Sequence, residues 1–134
     1  DQVLVYPVTT FLPEGEGAET VDRFANAQPL TAPLLQYFGD RYVPDQAARQ
    51  NPYASPLLAA DLSGLPPATV IAAEIDVLVG QGRQYADALE AAGNDVTYTL
   101  YEGVTHEFFG LGALVDKARD AEEEAAGRRR ESFD

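Results

Sequence analysis

The 134-residue sequence contains no cysteine, no methionine and no tryptophan, and its one histidine is His106. The absence of cysteine excludes disulfides, thiolate zinc sites and a cysteine nucleophile. A single histidine leaves no cluster of imidazole ligands, so we expect no metal site. Basic residues are also scarce, since 9 Lys and Arg stand against 22 Asp and Glu and the formal net charge is −13. This balance argues against nucleic acid and anionic membranes as partners.

Long apolar runs are missing as well. No stretch approaches the roughly 20 residues that a membrane-spanning helix needs, and residues 1–7 lack the basic start and long apolar stretch of a signal peptide. A chain that lacks methionine and begins at Asp1 is not expected to be a complete translation product, so we expect further residues to precede it. The lack of cysteine favours a cytoplasmic location.

The residues that are present have the composition and pattern of an α/β protein. Hydrophobic residues make up 46% of the chain and charged residues 23%, close to the globular average. Apolar runs predict strands buried on both faces at residues 3–6 and 68–73, and alternating side chains predict a strand at 96–101. Helical spacing predicts helices at residues 30–42, 85–92 and 114–133, with a less regular short helix at 21–27. The strand–helix–strand–helix order of residues 68–134 implies a parallel sheet.

Two polar residues follow strands of this predicted sheet, where parallel α/β proteins carry their chemistry. Asp76 follows the strand at 68–73, and His106 follows the strand at 96–101 after a predicted turn over residues 102–105. One right-handed crossover joins the two strands, and we expect it to account for the thirty residues between Asp76 and His106. Because neighbouring strands lie about 4.8 Å apart, we expect Asp76 to hydrogen-bond His106. Such a pair fixes the imidazole tautomer and leaves the other nitrogen free as a general base.

Spacing alone leaves two other interpretations of these residues open. In the first, His106 is a turn residue and Asp76 is a loop or capping residue. In the second, Glu74 and Asp76 share one strand face at i, i+2 and form a carboxylate pair or a hard-metal site. No D-x-D-x-D-G loop supports calcium, so a surface role for Glu74 is the simpler interpretation. The apolar neighbours of His106 favour the acid–base pair because they leave no structural need for an imidazole.

Five stretches carry a further signal: VLVYPVT (3–9), NPYASPL (51–57), LSGLPPATVIAAEID (62–76), YADALEAAG (85–93) and YEGVTHEFF (101–109). In sequence and in order they resemble the hormone-sensitive-lipase branch of the α/β-hydrolase esterases. The resemblance implies an α/β-hydrolase fold, with residues 1–134 as the C-terminal half of one domain. That half is the C-terminal portion of a mostly parallel sheet flanked by helices, with part of a helical cap. Residues 11–42 resemble the segment that joins the cap, and residues 68–134 carry the acid and the base.

The same resemblance implies roles for individual residues. Asp76 is the acid and His106 the base of a Ser-His-Asp triad that hydrolyses carboxylic esters through an acyl-enzyme and needs no cofactor. The family's nucleophile lies in G-x-S-x-G ahead of both, and neither that motif nor the glycine-rich oxyanion loop occurs in this sequence. We therefore expect both in residues that precede Asp1. The serines that are present are expected to serve turns or caps: Ser55, Ser63 and Ser132.

The chain departs from the family pattern at two places. Residues 77–82 read VLVGQG where the family commonly has PLxDEG, so a second acidic pair is lost while the acid itself remains. Glu107 follows His106 where glycine is commoner, and its carboxylate acts on the imidazole only if it points inward. In the cap-linked segment (residues 11–42), three aromatic residues are expected to pack the helix rather than to line a pocket: Tyr37, Phe38 and Tyr42.

The resemblance also implies the partners. The expected substrate is a small-molecule ester with a short to medium acyl chain, and the expected protein partner is the missing N-terminal half of the same domain. Two alternatives are a hydrolase-like protein that binds a ligand or partner without chemistry, and an inactive proteolytic fragment. The sequence before Asp1 distinguishes them, because the absence of a serine in a G-x-S-x-G setting there would exclude the esterase.

Overall fold

A computed structural model describes residues 1–131 of the chain, and within them the strands form one parallel sheet. In chain order the elements are β1 (Gln2–Val5), α1 (Glu16–Arg23), α2 (Ala32–Tyr42), β2 (Ala68–Ile75), α3 (Val79–Ala91), β3 (Val96–Thr105) and α4 (Asp116–Glu131), with short 3₁₀ turns at Ala47–Gln50, Pro56–Leu58 and Phe108–Leu111. The strand order is β1-β2-β3, and β2 pairs in parallel with both neighbours. The predicted α/β architecture is confirmed. No helix in this part of the chain is long and apolar enough to span a membrane.

The central strand β2 is buried along residues 68–73, as its apolar run predicts. Apolar side chains cover both of its faces. On one face Ile71 packs in a cluster with Ala121 of α4, and on the other Ala68 packs in a cluster with Leu89 of α3. Full burial of a side chain such as Ile71 contributes about 1.5–3 kcal/mol. The sheet is therefore a layer between α3 and α4.

The first strand differs from its prediction. β1 is half-buried along its length, so the expectation that it is buried on both faces is wrong. Within residues 1–131, β1 lies at one edge of the sheet and pairs with β2 alone. Fewer neighbouring residues therefore cover β1 than cover β2.

The third strand also differs from its prediction, in length and in pattern. β3 continues to Thr105 and takes in residues 102–105, which were expected to form a turn. Buried and exposed residues do not alternate along it, because both faces are partly covered. The Arg83 guanidinium of α3 lies 4.6 Å from the centre of the Tyr98 ring on one face, and on the other the Tyr101 hydroxyl donates to Glu124 of α4 at 2.8 Å.

The short helix α1 begins at Glu16 and ends at Arg23, five residues earlier at its start than the predicted helix at 21–27. Close packing on α3 sets this position. A Cβ on Gly80 would lie 2.4 Å from the Glu16 carbonyl oxygen, so only glycine lets the two helices approach this closely. The Gly80 N–H also donates to the Thr20 hydroxyl at 3.2 Å. The position of α1 follows from tertiary contact, which sequence periodicity does not report.

The remaining helices overlap their predicted positions, although α3 begins at Val79, six residues before the predicted start at 85. Thr31 caps α2, and its hydroxyl accepts the Leu34 N–H at 3.3 Å. Gly93 ends α3 with a φ of 86°, a left-handed conformation that favours glycine. Helix α4 begins at Asp116, and the last three residues of the chain, which include its predicted end at 133, lie outside the described residues.

Apolar contacts place α1 and α2 beside the loop that follows β2. Leu30 packs with Val77 and Leu78 of that loop, and Phe24 and Leu35 pack against the same cluster. The cap-linked segment therefore lies at the carboxyl edge of the sheet, next to Asp76.

Candidate active site

The structure brings Asp76 and His106 into direct contact at this edge of the sheet. His106 Nδ1 lies 2.7 Å from Asp76 Oδ2. The other carboxylate oxygen of Asp76 accepts the Leu78 N–H at 2.9 Å. Asp76 is 1% exposed, so both of its oxygens are committed to protein donors in a dry setting. The arrangement holds the imidazole by one nitrogen and leaves Nε2 for other chemistry.

A register shift in the sheet brings His106 level with Asp76. β2 and β3 pair residues 28 apart from Ala68 to Ala73, but Ile75 pairs with Thr105, which is 30 residues away. The additional residues of β3 form a bulge, in which Gly103 adopts a φ of 69°. The expectation that the crossover alone sets the thirty-residue separation is therefore wrong, because the bulge supplies part of it.

Glu74 stabilises this bulge. Its Oε2 accepts the Gly103 N–H at 2.6 Å, whereas Asp76 contacts His106. The two carboxylates thus have separate partners, and the alternative of a carboxylate pair is wrong. Within residues 1–131, no group of three or more His, Asp or Glu side chains is placed to hold a metal ion.

Two side chains flank His106, and both come from residues with a positive φ. In the described part of the chain, Tyr6 (φ 35°) and Glu107 (φ 69°) are the non-glycine residues of this kind. The centre of the Tyr6 ring lies 4.4 Å from that of His106. Burial raises the pKa of the Tyr6 hydroxyl, and the negative charges of Glu107 and Asp76 raise it further. A left-handed backbone costs a non-glycine residue about 1–2 kcal/mol, so the fold keeps both residues at the imidazole against a local energetic cost.

A cavity of about 1160 Å³ opens beside His106. Most of the side chains around it are apolar or aromatic, and they include Val8, Phe11, Leu34, Leu35, Phe38, Tyr42 and Tyr53. Phe38 and Tyr42 are 52% and 76% exposed. The expectation that these two pack rather than line a pocket is therefore wrong, because α2 packs on the core one turn earlier, through Leu34 and Leu35.

The described serines have structural partners, although that of Ser55 lies in a distant part of the chain and is not the turn or cap contact that was expected. Ser55 is fully buried, and its hydroxyl accepts the Phe11 N–H at 2.9 Å. Ser63 follows Asp61 in a turn, where its N–H donates to the Asp61 carboxylate at 2.8 Å. Ser132 lies outside the described residues.

Gln81 has a role that the sequence did not reveal. It is 1% exposed, and its Oε1 accepts the N–H groups of Thr9 and Thr10 at 2.7 and 3.0 Å. These bonds tie the chain after β1, which forms one wall of the cavity, to α3. The departure from the family pattern at residues 77–82 pointed to this position, but spacing could not reveal what the amide contacts.

A family profile described as the alpha/beta hydrolase fold matches residues 1–110. The chain belongs to the α/β-hydrolase family. This α/β-hydrolase chain is 37% identical over 117 residues to an ethyl acetate hydrolase of Pseudomonas putida, a match that covers 87% of the chain and 36% of the relative. It is 30% identical over 119 residues to the hormone-sensitive lipase of Ictidomys tridecemlineatus, covering 87% of the chain and 14% of that protein.

Solved structures show the same relationship for the α/β-hydrolase chain. The carboxylesterase EstE1, cloned from a metagenomic library, matches with a TM-score of 0.89 at 34% identity, over 99% of the chain and 45% of that protein. The α/β-hydrolase fold and the resemblance to hormone-sensitive lipase are confirmed. The chain spans about a third of the length of the curated esterase relatives that it matches over most of its residues.

Proposed function

We propose that the protein hydrolyses carboxylic esters, with His106 as the general base and Asp76 as the residue that orients it. The observation that carries the proposal is the 2.7 Å contact between Asp76 Oδ2 and His106 Nδ1 beside a largely apolar cavity. A buried carboxylate at Nδ1 keeps the proton on that nitrogen, so Nε2 carries the lone pair that accepts a proton from a hydroxyl. Relatives that are themselves named ester hydrolases support this choice of reaction.

The proposed nucleophile is a serine that precedes Asp1, because no serine of this sequence lies in G-x-S-x-G. Its oxygen attacks the ester carbonyl carbon while its proton passes to His106 Nε2. When the tetrahedral intermediate collapses, the bond to the alcohol oxygen breaks and that oxygen takes the proton from the imidazolium. Water then attacks the acyl-enzyme with the same proton transfers, which releases the acid and restores the serine. Asp76 stabilises the imidazolium in both halves.

The cavity supports esters of short to medium acyl chain as substrates. Its volume of about 1160 Å³ leaves room for such a chain, and its aromatic and aliphatic lining suits an apolar group beside His106. Since α2 contributes Phe38 and Tyr42 to this lining, we also propose that residues 11–42 belong to the substrate-covering cap. Residues 1–134 would then be the C-terminal half of a domain whose N-terminal half supplies the nucleophile and the oxyanion loop.

Substitution of the pair in the full-length protein tests the proposal. We expect His106→Ala and Asp76→Asn each to lower kcat for p-nitrophenyl acetate by about 10⁴-fold, the loss typical when a triad member is removed. Asp120→Asn, which removes an exposed carboxylate on α4, serves as the control and should retain full turnover. Near-normal turnover in either pair variant would contradict the assignment. If the unaltered full-length protein hydrolyses no ester, a binding protein of the same fold is favoured instead.

A further inference from the structure

Glu107 occupies a position at the candidate site that its backbone disfavours. The residue has φ 69° and ψ 2°, a left-handed conformation that suits glycine and is sterically costly for glutamate. Its side chain is 69% exposed and borders the cavity, with Oε1 3.9 Å from His106 Nε2. A costly residue kept beside the reacting nitrogen indicates that the side chain contributes to the site.

Of the acidic side chains around His106, Glu107 contributes most to the electric field at Nε2. The Asp76 carboxylate is buried and is compensated by His106 and by the Leu78 N–H. Tyr6, which packs on the imidazole, is a neutral phenol, and burial together with the nearby carboxylates raises its pKa further. The charged contact of Glu107 in the described part of the chain is with His106, at 3.9 Å between Oε1 and Nε2.

Arg41 is the other fully charged side chain that borders the cavity within residues 1–131. Its guanidinium lies 3.4 Å from the centre of the Tyr37 ring and donates to the Tyr37 carbonyl oxygen at 3.4 Å. The positive charge is thus held on the α2 wall, while the negative charge lies next to the nitrogen where an ester would react. The side of the cavity at His106 is therefore negative and the side at α2 is positive.

We propose that Glu107 selects substrates by charge, so that an ester with a cationic group near the scissile bond reacts faster than its neutral isostere. The inference rests on the proposed ester hydrolysis. An ester carbonyl within reach of His106 Nε2 places its near substituents roughly 4–8 Å from the Glu107 carboxylate. At the dielectric of a partly exposed cavity, this attraction corresponds to roughly a 3- to 30-fold preference. An anionic substituent would be disfavoured by a similar factor.

A matched pair of acetate esters tests this selection in the full-length protein. 2-(Trimethylammonio)ethyl acetate and 3,3-dimethylbutyl acetate have the same shape and differ by one charge. We expect the ratio of kcat/KM for the cationic ester to kcat/KM for the neutral ester to fall roughly tenfold in Glu107→Gln. In the unaltered protein, the same ratio should fall as salt is added. Because both esters use the same imidazole, the ratio cancels any change in His106 itself. Arg41→Gln is the control, because it removes a positive charge from the cavity instead of a negative one. In this variant the ratio of cationic to neutral kcat/KM should stay the same or rise.

An unchanged ratio in Glu107→Gln, or an equal fall in Arg41→Gln, would overturn the inference. A binding measurement tests the charge selection independently of the proposed ester hydrolysis. The ketones 5-(trimethylammonio)-2-pentanone and 6,6-dimethyl-2-heptanone mimic the two esters and cannot be hydrolysed. If the full-length protein hydrolyses no ester, the proposed function fails, and calorimetry with these ketones decides the selection. Tighter binding of the cation that is lost in Glu107→Gln supports it, and equal binding of both ketones refutes it.

Discussion

The strand-end region and the cap-linked segment of this molecule border one cavity but are held in place by different means. In the strand-end region, Asp76 and His106 follow two strands that are paired through their backbones, and a bulge centred on Gly103 aligns them. The cap-linked segment, residues 11–42, is instead positioned by side-chain packing and by the close contact of Gly80 with Glu16. The first region is held by a ladder of backbone hydrogen bonds, and the second by side-chain contacts and a hydrogen bond from the Gly80 N–H to Thr20.

The difference separates two kinds of effect. Under the proposed ester hydrolysis, a change in the strand-end region alters the distance between Asp76 and His106, so it should act on kcat. A change in the cap-linked segment would move a cavity wall that the proposed substrate contacts, so it should act on KM and on stability. The following predictions, all for the full-length protein, test how far this separation extends.

Gly103→Ala should cause the largest effect of these three. Any side chain at φ 69° is strained, so the bulge should shift and misplace His106, and we expect kcat to fall about 100-fold. Gly64→Ala is the matched control, because Gly64 has a φ of 66° with no atom within 4 Å of an added Cβ and lies in a loop before β2. Turnover of p-nitrophenyl acetate should fall in the first variant and stay unchanged in the second. Equal losses would show that strain anywhere impairs the site.

Gly80→Ala should lower the free energy of unfolding by about 1–3 kcal/mol, because its Cβ would overlap the Glu16 carbonyl oxygen and push α1 away from α3. Urea denaturation measures this change. We expect KM for p-nitrophenyl butyrate to rise severalfold, with kcat reduced far less than in Gly103→Ala. Gly127→Ala in α4 has open space around its Cβ and should instead be neutral or stabilise the protein by up to about 1 kcal/mol. A large fall in kcat for Gly80→Ala would mean that the two regions are coupled.

Glu107→Gly should cause the smallest effect of the three, and it should stabilise the protein where Gly80→Ala destabilises it. Glycine relieves the left-handed strain, so the free energy of unfolding should rise by about 1 kcal/mol. Glu90→Gly, which exchanges an exposed glutamate within the ordinary backbone of α3, should lower it by about 1 kcal/mol. Thermal unfolding of both variants measures the contrast. If Glu107→Gly is destabilised as much as Glu90→Gly, the glutamate is not strained in its native position.

The sequence was sufficient for the parts of the fold that depend on local pattern. The apolar run at 68–73 predicted β2, the spacing of Leu35, Phe38 and Tyr42 predicted α2, and the order of elements predicted parallel strands. Asp76 and His106 were found because residues that follow adjacent parallel strands meet at one edge.

The rest depends on contacts between distant parts of the chain. α1 is placed by the fit of Gly17 and Gly80 at the crossing of two helices, and Gln81 bonds to residues 9 and 10 more than seventy positions away. The exposure of Phe38 beside the cavity depends on which turn of α2 reaches the core. No single-sequence periodicity contains such information, because it arises only when the elements pack.

The bulge in β3 sets how far His106 lies from Asp76 along the sheet. Without it, continued pairing would bring Val104 level with Asp76, and His106 would lie two residues farther along the strand, about 6.6 Å away. Two residues are one full repeat of the pleat, so an insertion of this size slides the histidine along the sheet without turning it to the other face. The fold can thus adjust its acid–histidine distance by a small even-numbered insertion or deletion and leave helix α3 and its loops intact.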